Sequence, residues 1–209
     1  MKKNVLLFLL SLTLSVSGTE PSAKWDLENI QNLRTEGEVA SLDGIAGQAA
    51  SFNGTSSIET GAPATPGNAV TLECWVKLDT LEQEWRGIVS RSGKGGLGYG
   101  ILFRSAGNGF RFVVTLDSKT SAMVQTEKES IVPGQWYHLA GVYDGKSLTL
   151  YVNGMPFSKN ASITLPEIDS PIFIGKMGAW TKEGLKGAVD EVAIYPAALS
   201  GSEVSAHVA

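Results

Sequence analysis

The feature that most constrains this chain is a rhythm. Short runs rich in β-branched and aromatic residues recur along it, separated by clusters of Gly, Asn, Asp and Ser. Such spacing builds antiparallel sheets, because a half-buried strand needs an apolar side chain at every second position and the chain must reverse after each run. Strands are predicted near Ala49–Phe52, Val70–Leu78, Gly87–Arg91, Tyr99–Arg104, Phe110–Leu116, Tyr137–Tyr143, Leu148–Val152, Ile172–Gly175 and Ala188–Tyr195. Phe110, Phe112, Val114 and Leu116 share one face of their strand, as do Leu72, Cys74, Val76 and Leu78 of theirs, and both faces are predicted core. Asp144-Gly145 and Asn153-Gly154 stand between apolar runs as hairpin turns. The one helix signal comes at the end, where Ser200 and Glu203 have capping-box spacing before Val204–Val208.

The N-terminus carries Lys2 and Lys3, an apolar run from Val5 to Leu14, then Ser15-Val16-Ser17-Gly18. That order is the order of a secretory signal peptide, expected to span residues 1–18 and to leave one domain over 19–209. The apolar run is too short to cross a bilayer and no second one follows, so no membrane span is expected. The chain is mildly acidic, with 17 basic against 21 acidic residues. A basic patch is not implied, which argues against nucleic acid as a partner. Cys74 is the single cysteine, so no intrachain disulfide can form, and with two histidines, His138 and His207, a zinc site is not expected.

Five segments, kept in order over roughly residues 45 to 204, resemble the laminin-G-like jelly-roll family of the concanavalin A-like superfamily. They are Gly47 through Gly54, Thr71 through Lys77, Gln135 through Gly145, Leu148 through Gly154, and Gly187 through Tyr195. The resemblance implies an all-β, two-sheet antiparallel jelly-roll sandwich whose relatives bind glycans, proteins or calcium. Hydrolases of this fold carry paired carboxylates on one strand. Here Glu167-Ile168-Asp169 lacks the final Glu and precedes a strand, so it reads as loop surface, and no enzyme is expected. Gly93-Lys94-Gly95-Gly96-Leu97-Gly98 matches a dinucleotide fingerprint by letter, but strand-like residues follow it, so a hairpin loop is the better reading.

Sugar rings stack on exposed aromatic faces, which singles out two of the five tryptophans. Trp85 and Trp180 fall in polar loops and are the ligand-binding candidates, whereas Trp75 and Trp136 lie in strand motifs and read as structural. His138, inside a strand, reads as a hydrogen-bonded structural residue. Strand alternation places Asp190 with Ala188, Val192 and Ile194, an otherwise apolar set, so its carboxylate is expected to be buried and to need a cation or N–H donors. By the resemblance, a structural Ca²⁺ held by Asp190 with the Asp43-Gly44 loop or the Trp25-Asp26 segment is one expectation; backbone N–H donors with no ion are the other. The expected function is a secreted, cell-surface or periplasmic non-catalytic module that binds a glycan; the alternative is a structural module that docks another exported, extracellular protein, and a glycoside hydrolase ranks behind both.

Overall fold

The computed structural model describes residues 19–64, 67–82, 84–93, 96–105, 109–117, 119–126, 131–165, 167–178, 181 and 184–209. Its strands are β1 (Ala23–Trp25), β2 (Arg34–Glu36), β3 (Val39–Asp43), β4 (Gln48–Asn53), β5 (Ser57–Glu59), β6 (Val70–Leu78), β7 (Arg86–Gly93) and β8 (Gly96–Arg104). They continue with β9 (Gly109–Thr115), β10 (Ser121–Gln125), β11 (Trp136–Tyr143), β12 (Ser147–Val152), β13 (Met155–Asn160), β14 (Ile172–Ile174) and β15 (Lys186–Tyr195), before helix α1 (Gly201–Val208). One sheet runs β13-β12-β11-β6-β15-β4-β3, with β1 also on β15; the other runs β10-β9-β8-β7-β14-β5-β2. All pairings are antiparallel, as the sequence rhythm requires.

Alternation explains the core. Leu72, Cys74, Val76 and Leu78 of β6 are fully buried and face Phe103, Phe110, Phe112 and Val114 of the other sheet within one apolar cluster. Phe110 stacks at a tilt on Tyr137 of β11, with ring centroids 5.5 Å apart, which ties the two layers together. A methyl group at Gly141 would collide with the Phe112 ring, so glycine there lets the sheets close up. Burial pushes the Cys74 thiol up, which leaves it an inert packing residue. Arg91 is also buried, and its guanidinium donates to the carbonyls of Pro63, Ile168 and Ser170 and to the Tyr99 hydroxyl, fastening two long loops to the sandwich.

The predicted turns and cap are present. Asn153 and Gly154 both have positive φ, 48° and 81°, the conformation a two-residue turn needs between β12 and β13. Ser200 caps α1 by accepting from Glu203 N–H while Glu203 returns a bond to Ser200 N–H. Leu116, expected in the core, is exposed. The strand stops at Thr115, and Leu116 N–H bonds Thr120 across the turn, out of the alternating run.

A further difference reshapes the candidate site. Asp190 is buried, as expected, but on the opposite face from Val192 and Ile194. On β6, two residues separate the partners of Asp190 and Ala193, where β15 uses three; the extra residue is a β-bulge with Glu191 at φ 46°. Asp190 therefore pairs with Trp75 on the outward face of the eight-stranded sheet, while Val192 and Ile194 return to the core. Alternation counted straight through the strand cannot see such an insertion.

Candidate functional site

Each sheet turns one face inward and one outward, and both outward faces carry unusual chemistry. On the seven-stranded sheet, Ser90, Leu102, Arg111 and Phe173 point outward by register yet are buried. The face is recessed because flanking segments fold over it. Past β14 the chain curls back so that Lys176 accepts a hydrogen bond from Ser90 Oγ at 2.8 Å, and its Nζ pairs with Glu36. Lys176 lies against Gly87 near the start of β7, and at that same end Trp85 comes over the sheet.

Trp85 lies in the turn entering β7 with φ 47°, a left-handed conformation uncommon for a bulky residue. Its ring meets two cations. The Arg104 guanidinium carbon is 4.5 Å from the ring centroid and that of Arg111 is 4.9 Å away. Both arginines rise from the same face, since Arg111 pairs with Leu102 and Arg104 with Gly109. Trp85 nevertheless keeps 39% of its surface exposed. Arg104 Nε donates to Glu84 Oε2 at 3.2 Å, and Ser105 Oγ donates to Glu84 Oε1 at 2.6 Å, so one carboxylate steadies the rim. Burial, and then the neighbouring charge of Arg104, push the Arg111 guanidinium down from its ordinary value, though an arginine keeps its proton. An exposed aromatic face flanked by fixed N–H donors can stack a sugar ring and bond its oxygens.

The outward face of the eight-stranded sheet carries a cleft of about 660 Å³, floored by Glu73, Trp75, His138 and Ala193 and walled by the Ile45-Ala46 turn, Lys24, Tyr195 and His207. Glu73 is buried at its centre. His138 Nε2 lies 2.8 Å from Glu73 Oε1, and His207 Nδ1 lies 3.0 Å from Glu73 Oε2. Burial works to raise the Glu73 pKa, but the bonds and charges of the two histidines outweigh it and hold the carboxyl below its ordinary value. His207 stacks on Tyr195 at 5.9 Å and His138 meets Trp75 edge-on at 5.1 Å. Lys24 and Glu191 pair at the rim, 2.5 Å apart. Glu73 thus spends both oxygens on the protein itself, which makes it a fastener for α1.

Beside the cleft, the Asp190 carboxylate accepts from the N–H groups of Ile45 (2.8 Å), Ala46 (3.3 Å) and Glu191 (2.8 Å). Burial raises its pKa, and these donors act against the rise. The loop expected to meet Asp190 does so, but it presents N–H groups. Asp43 does not join Asp190; its carboxylate is exposed and accepts from Gln48 Nε2 at 3.4 Å. The donor set around Asp190 does not fit calcium, which needs six to eight oxygens. Among the described residues no group of three or more His, Cys, Asp or Glu is placed to hold a metal ion.

Of the two tryptophans singled out from sequence, Trp85 stands in the recessed face, and Trp180 lies outside the described residues. Trp75 and Trp136 are half-buried on the outward face of the eight-stranded sheet, and Trp136 lies under Lys77 Nζ at 5.0 Å. Glu167 and Asp169 lie exposed in a loop, as their context implied. Sequence reasoning missed Arg104, Arg111 and Glu73. The signal was available: Arg111 sits between Phe110 and Phe112, and Glu73 between Leu72 and Cys74, each a charge that alternation must place on the face away from the core.

Comparison with known proteins matches the sequence to a family. The profile of a family described as the concanavalin A-like lectin/glucanases superfamily matches residues 52–205. No curated protein matches the sequence significantly. Among solved structures, domain 4 of AbnA, an extracellular GH43 arabinanase from Geobacillus stearothermophilus in complex with arabinotriose, is similar at TM-score 0.72 and 21% identity, covering 92% of this chain and 100% of that one. The binding domain of Paraclostridial Mosquitocidal Protein 1 is similar at TM-score 0.64 and 18% identity, covering 85% of this chain and 47% of that one. Trypanosoma rangeli sialidase gives 0.58 and 19%, covering 77% of this chain and 27% of that one, so the chain spans only a minor part of the enzyme. At these identities the likeness shows the fold.

Proposed function

The chain belongs to the concanavalin A-like lectin/glucanase superfamily, and from that premise we propose that it is an exported, non-catalytic module that binds carbohydrate on the recessed face of its seven-stranded sheet. The observation that carries this reading is Trp85. An aromatic ring held in a left-handed turn, set against two guanidiniums and left 39% exposed is a stacking platform with cationic donors within 5 Å of its centroid. The arabinotriose complex of a domain with the same fold supports a sugar as the ligand class. The non-catalytic part of the reading is supported by Glu73, a buried carboxylate of the described cleft, whose oxygens are engaged by His138 and His207. Export is supported by the charged and then apolar N-terminal segment. The mature protein is expected to begin at Thr19, and N-terminal sequencing of protein recovered outside the cytoplasm checks it.

Glycan-array screening followed by calorimetry tests the binding reading. The expected result is a bound glycan whose affinity falls at least tenfold in Trp85→Ala with an unchanged fold. An array with no ligand, or full affinity without Trp85, defeats it. Polysaccharide hydrolysis lost on a single carboxylate substitution would defeat the non-catalytic part. The second reading, docking of an exported protein, is favoured by β13, an edge strand of the eight-stranded sheet where Met155 is 68% exposed. A stoichiometric protein partner lost on Met155→Lys, without glycan affinity, would select it.

A further inference from the structure

We propose that the carbohydrate bound at Trp85 is an acidic one, whose carboxylate or sulfate group is taken by Arg104 and Arg111 while its ring stacks on the tryptophan. This inference rests on the carbohydrate reading above and narrows it. Three observations lead to it. The first is the doubling of charge: two guanidiniums come within 5 Å of one ring centroid, from neighbouring positions on one face of the sheet. Energetically significant cation–π contacts occur only about once per 70–80 residues, so two on one indole form a built cluster.

The second is the electrostatic imbalance. Arg104 disfavours the charge of the buried Arg111 more strongly than the nearby Glu84 carboxylate favours it, so two positive charges share one negative one at this rim. Glu84, itself exposed, bonds Arg104 through Nε. An anionic oxygen placed between the two arginines relieves their repulsion. A neutral hydroxyl does so only weakly. The third is geometry: a guanidinium presents a planar fork of donors that matches the paired oxygens of a carboxylate or sulfate, and charge-assisted bonds of this kind are about twice as strong as neutral ones. The chain as a whole is acidic, with net charge −4, so a local positive patch stands against the field of the rest of the molecule and sets a specific attraction.

Calorimetry on the full exported chain tests this with matched probes: trigalacturonate, its fully methyl-esterified form, and a galactose trisaccharide with and without sulfation. The esterified and unsulfated probes keep the rings and remove the charge. The expected result is at least tenfold weaker binding of one or both neutral forms than of their acidic partners, with affinity falling as salt rises. Carboxylate or sulfate preference then reads out which acid the site takes. Arg104→Gln should collapse the acidic-to-neutral difference while leaving the melting temperature close to wild type. Arg111→Lys retains charge and loses the fork, and should reduce the preference partially, which keeps the test usable if Arg111→Ala does not fold. Equal affinity for acidic and neutral partners overturns this inference and leaves the carbohydrate reading standing. Binding of none of the four probes, together with a blank glycan array, overturns both. Salt-sensitive acidic binding that survives Trp85→Ala also overturns it, since the attraction would then be general charge and not this platform.

Discussion

On the outward face of the eight-stranded sheet, Glu73 is bonded by two histidines and roofed by α1; on that of the seven-stranded sheet, Arg104 and Arg111 stand side by side under a tryptophan that stays partly exposed. Both faces bury charge, and they do it in opposite ways. The first collects unlike groups and closes them with the chain's own terminal segments, since His207 comes from α1 and Lys24 from β1. The second sets two like charges against one rim carboxylate, Glu84, and leaves an aromatic surface open. The first face has its charges met from within, whereas the second keeps more positive than negative charge beside an open aromatic surface, the property on which the binding proposal rests. The contrast can be broken by experiment, and the effects expected differ in size.

The largest effect is expected at Glu73. Replacing it with alanine leaves His138, buried, and His207 without their carboxylate, and breaking one partner from a buried pair typically costs about 3–5 kcal/mol. Denaturant unfolding should show that loss, with affinity for the Trp85 ligand unchanged in the protein that remains folded. A folded Glu73→Ala variant that loses the ligand would move the site to the other sheet. The pH profile should agree in sign. The folded pKa of Glu73 is depressed, so its contribution is complete above the unfolded carboxyl value and is lost as pH falls through the folded one.

Asp190→Ala comes next. It strips the acceptor from three part-buried backbone N–H groups, those of Ile45, Ala46 and Glu191; water can reach the exposed Ile45-Ala46 turn, so the loss should fall below the roughly 1–3 kcal/mol of a fully buried unmet donor at each. Because that carboxylate is met by donors, the melting temperature of the wild-type protein should not move between calcium and chelator. A rise with calcium that Asp190→Asn abolishes would show that the turn at Ile45 rearranges to present oxygens instead.

These two residues also mark how far the sequence could be read. The antiparallel sandwich, the inward side chains of β6 and β9, the Asn153-Gly154 turn and the capping box were legible because each rests on local rules: period two, left-handed turn residues, and a three-residue spacing. Several strands were not. β13 carries exposed residues at five of six positions and β2 at all three, so neither has an alternating apolar signal to find. Trp85 was legible as a polar-loop aromatic, but the arginines beneath it come from β8 and β9, and only the register of those strands brings them together. The Glu73 cluster joins β6, β11 and a helix at the far end of the chain, with Glu73 and His207 134 positions apart. The bulge at Glu191 was invisible because a one-residue insertion carries no residue signature of its own within Ala188-Val189-Asp190-Glu191-Val192.

At Trp85 the expected effect is on binding. Alanine should weaken the ligand at least tenfold, about 1.4 kcal/mol, while unfolding stability changes by less than the Glu73 substitution changes it. A loss of stability as large as at Glu73, with affinity retained, would make Trp85 a cover for Arg111 and place both faces in the same structural class.

The smallest effect is expected at the cap of α1, and it sharpens the comparison because the cap holds the roof of one face only. Glu203 is held down to about 2, first by the Ser200 N–H bond and then by the Ser200 and Thr19 side chains. A depressed carboxyl stabilises fully above its unfolded value near 4.5 and loses that contribution as pH falls toward 2. Over this range α1 should fray and release His207 from the Glu73 cleft, while the strands beneath Trp85 are held by ladder hydrogen bonds and apolar core packing that do not titrate. Amide hydrogen exchange between pH 5 and 3, corrected for intrinsic rates, should therefore show rising opening of residues 201–208 and none confined to β8 or β9. Ser200→Ala, which removes the accepting hydroxyl at a typical cost of about 1 kcal/mol, should produce the same opening at pH 7. If α1 stays equally protected at both pH values and in Ser200→Ala, then the packing of Val204 alone fixes the helix, and the closed face owes its closure to apolar contact and not to its charges.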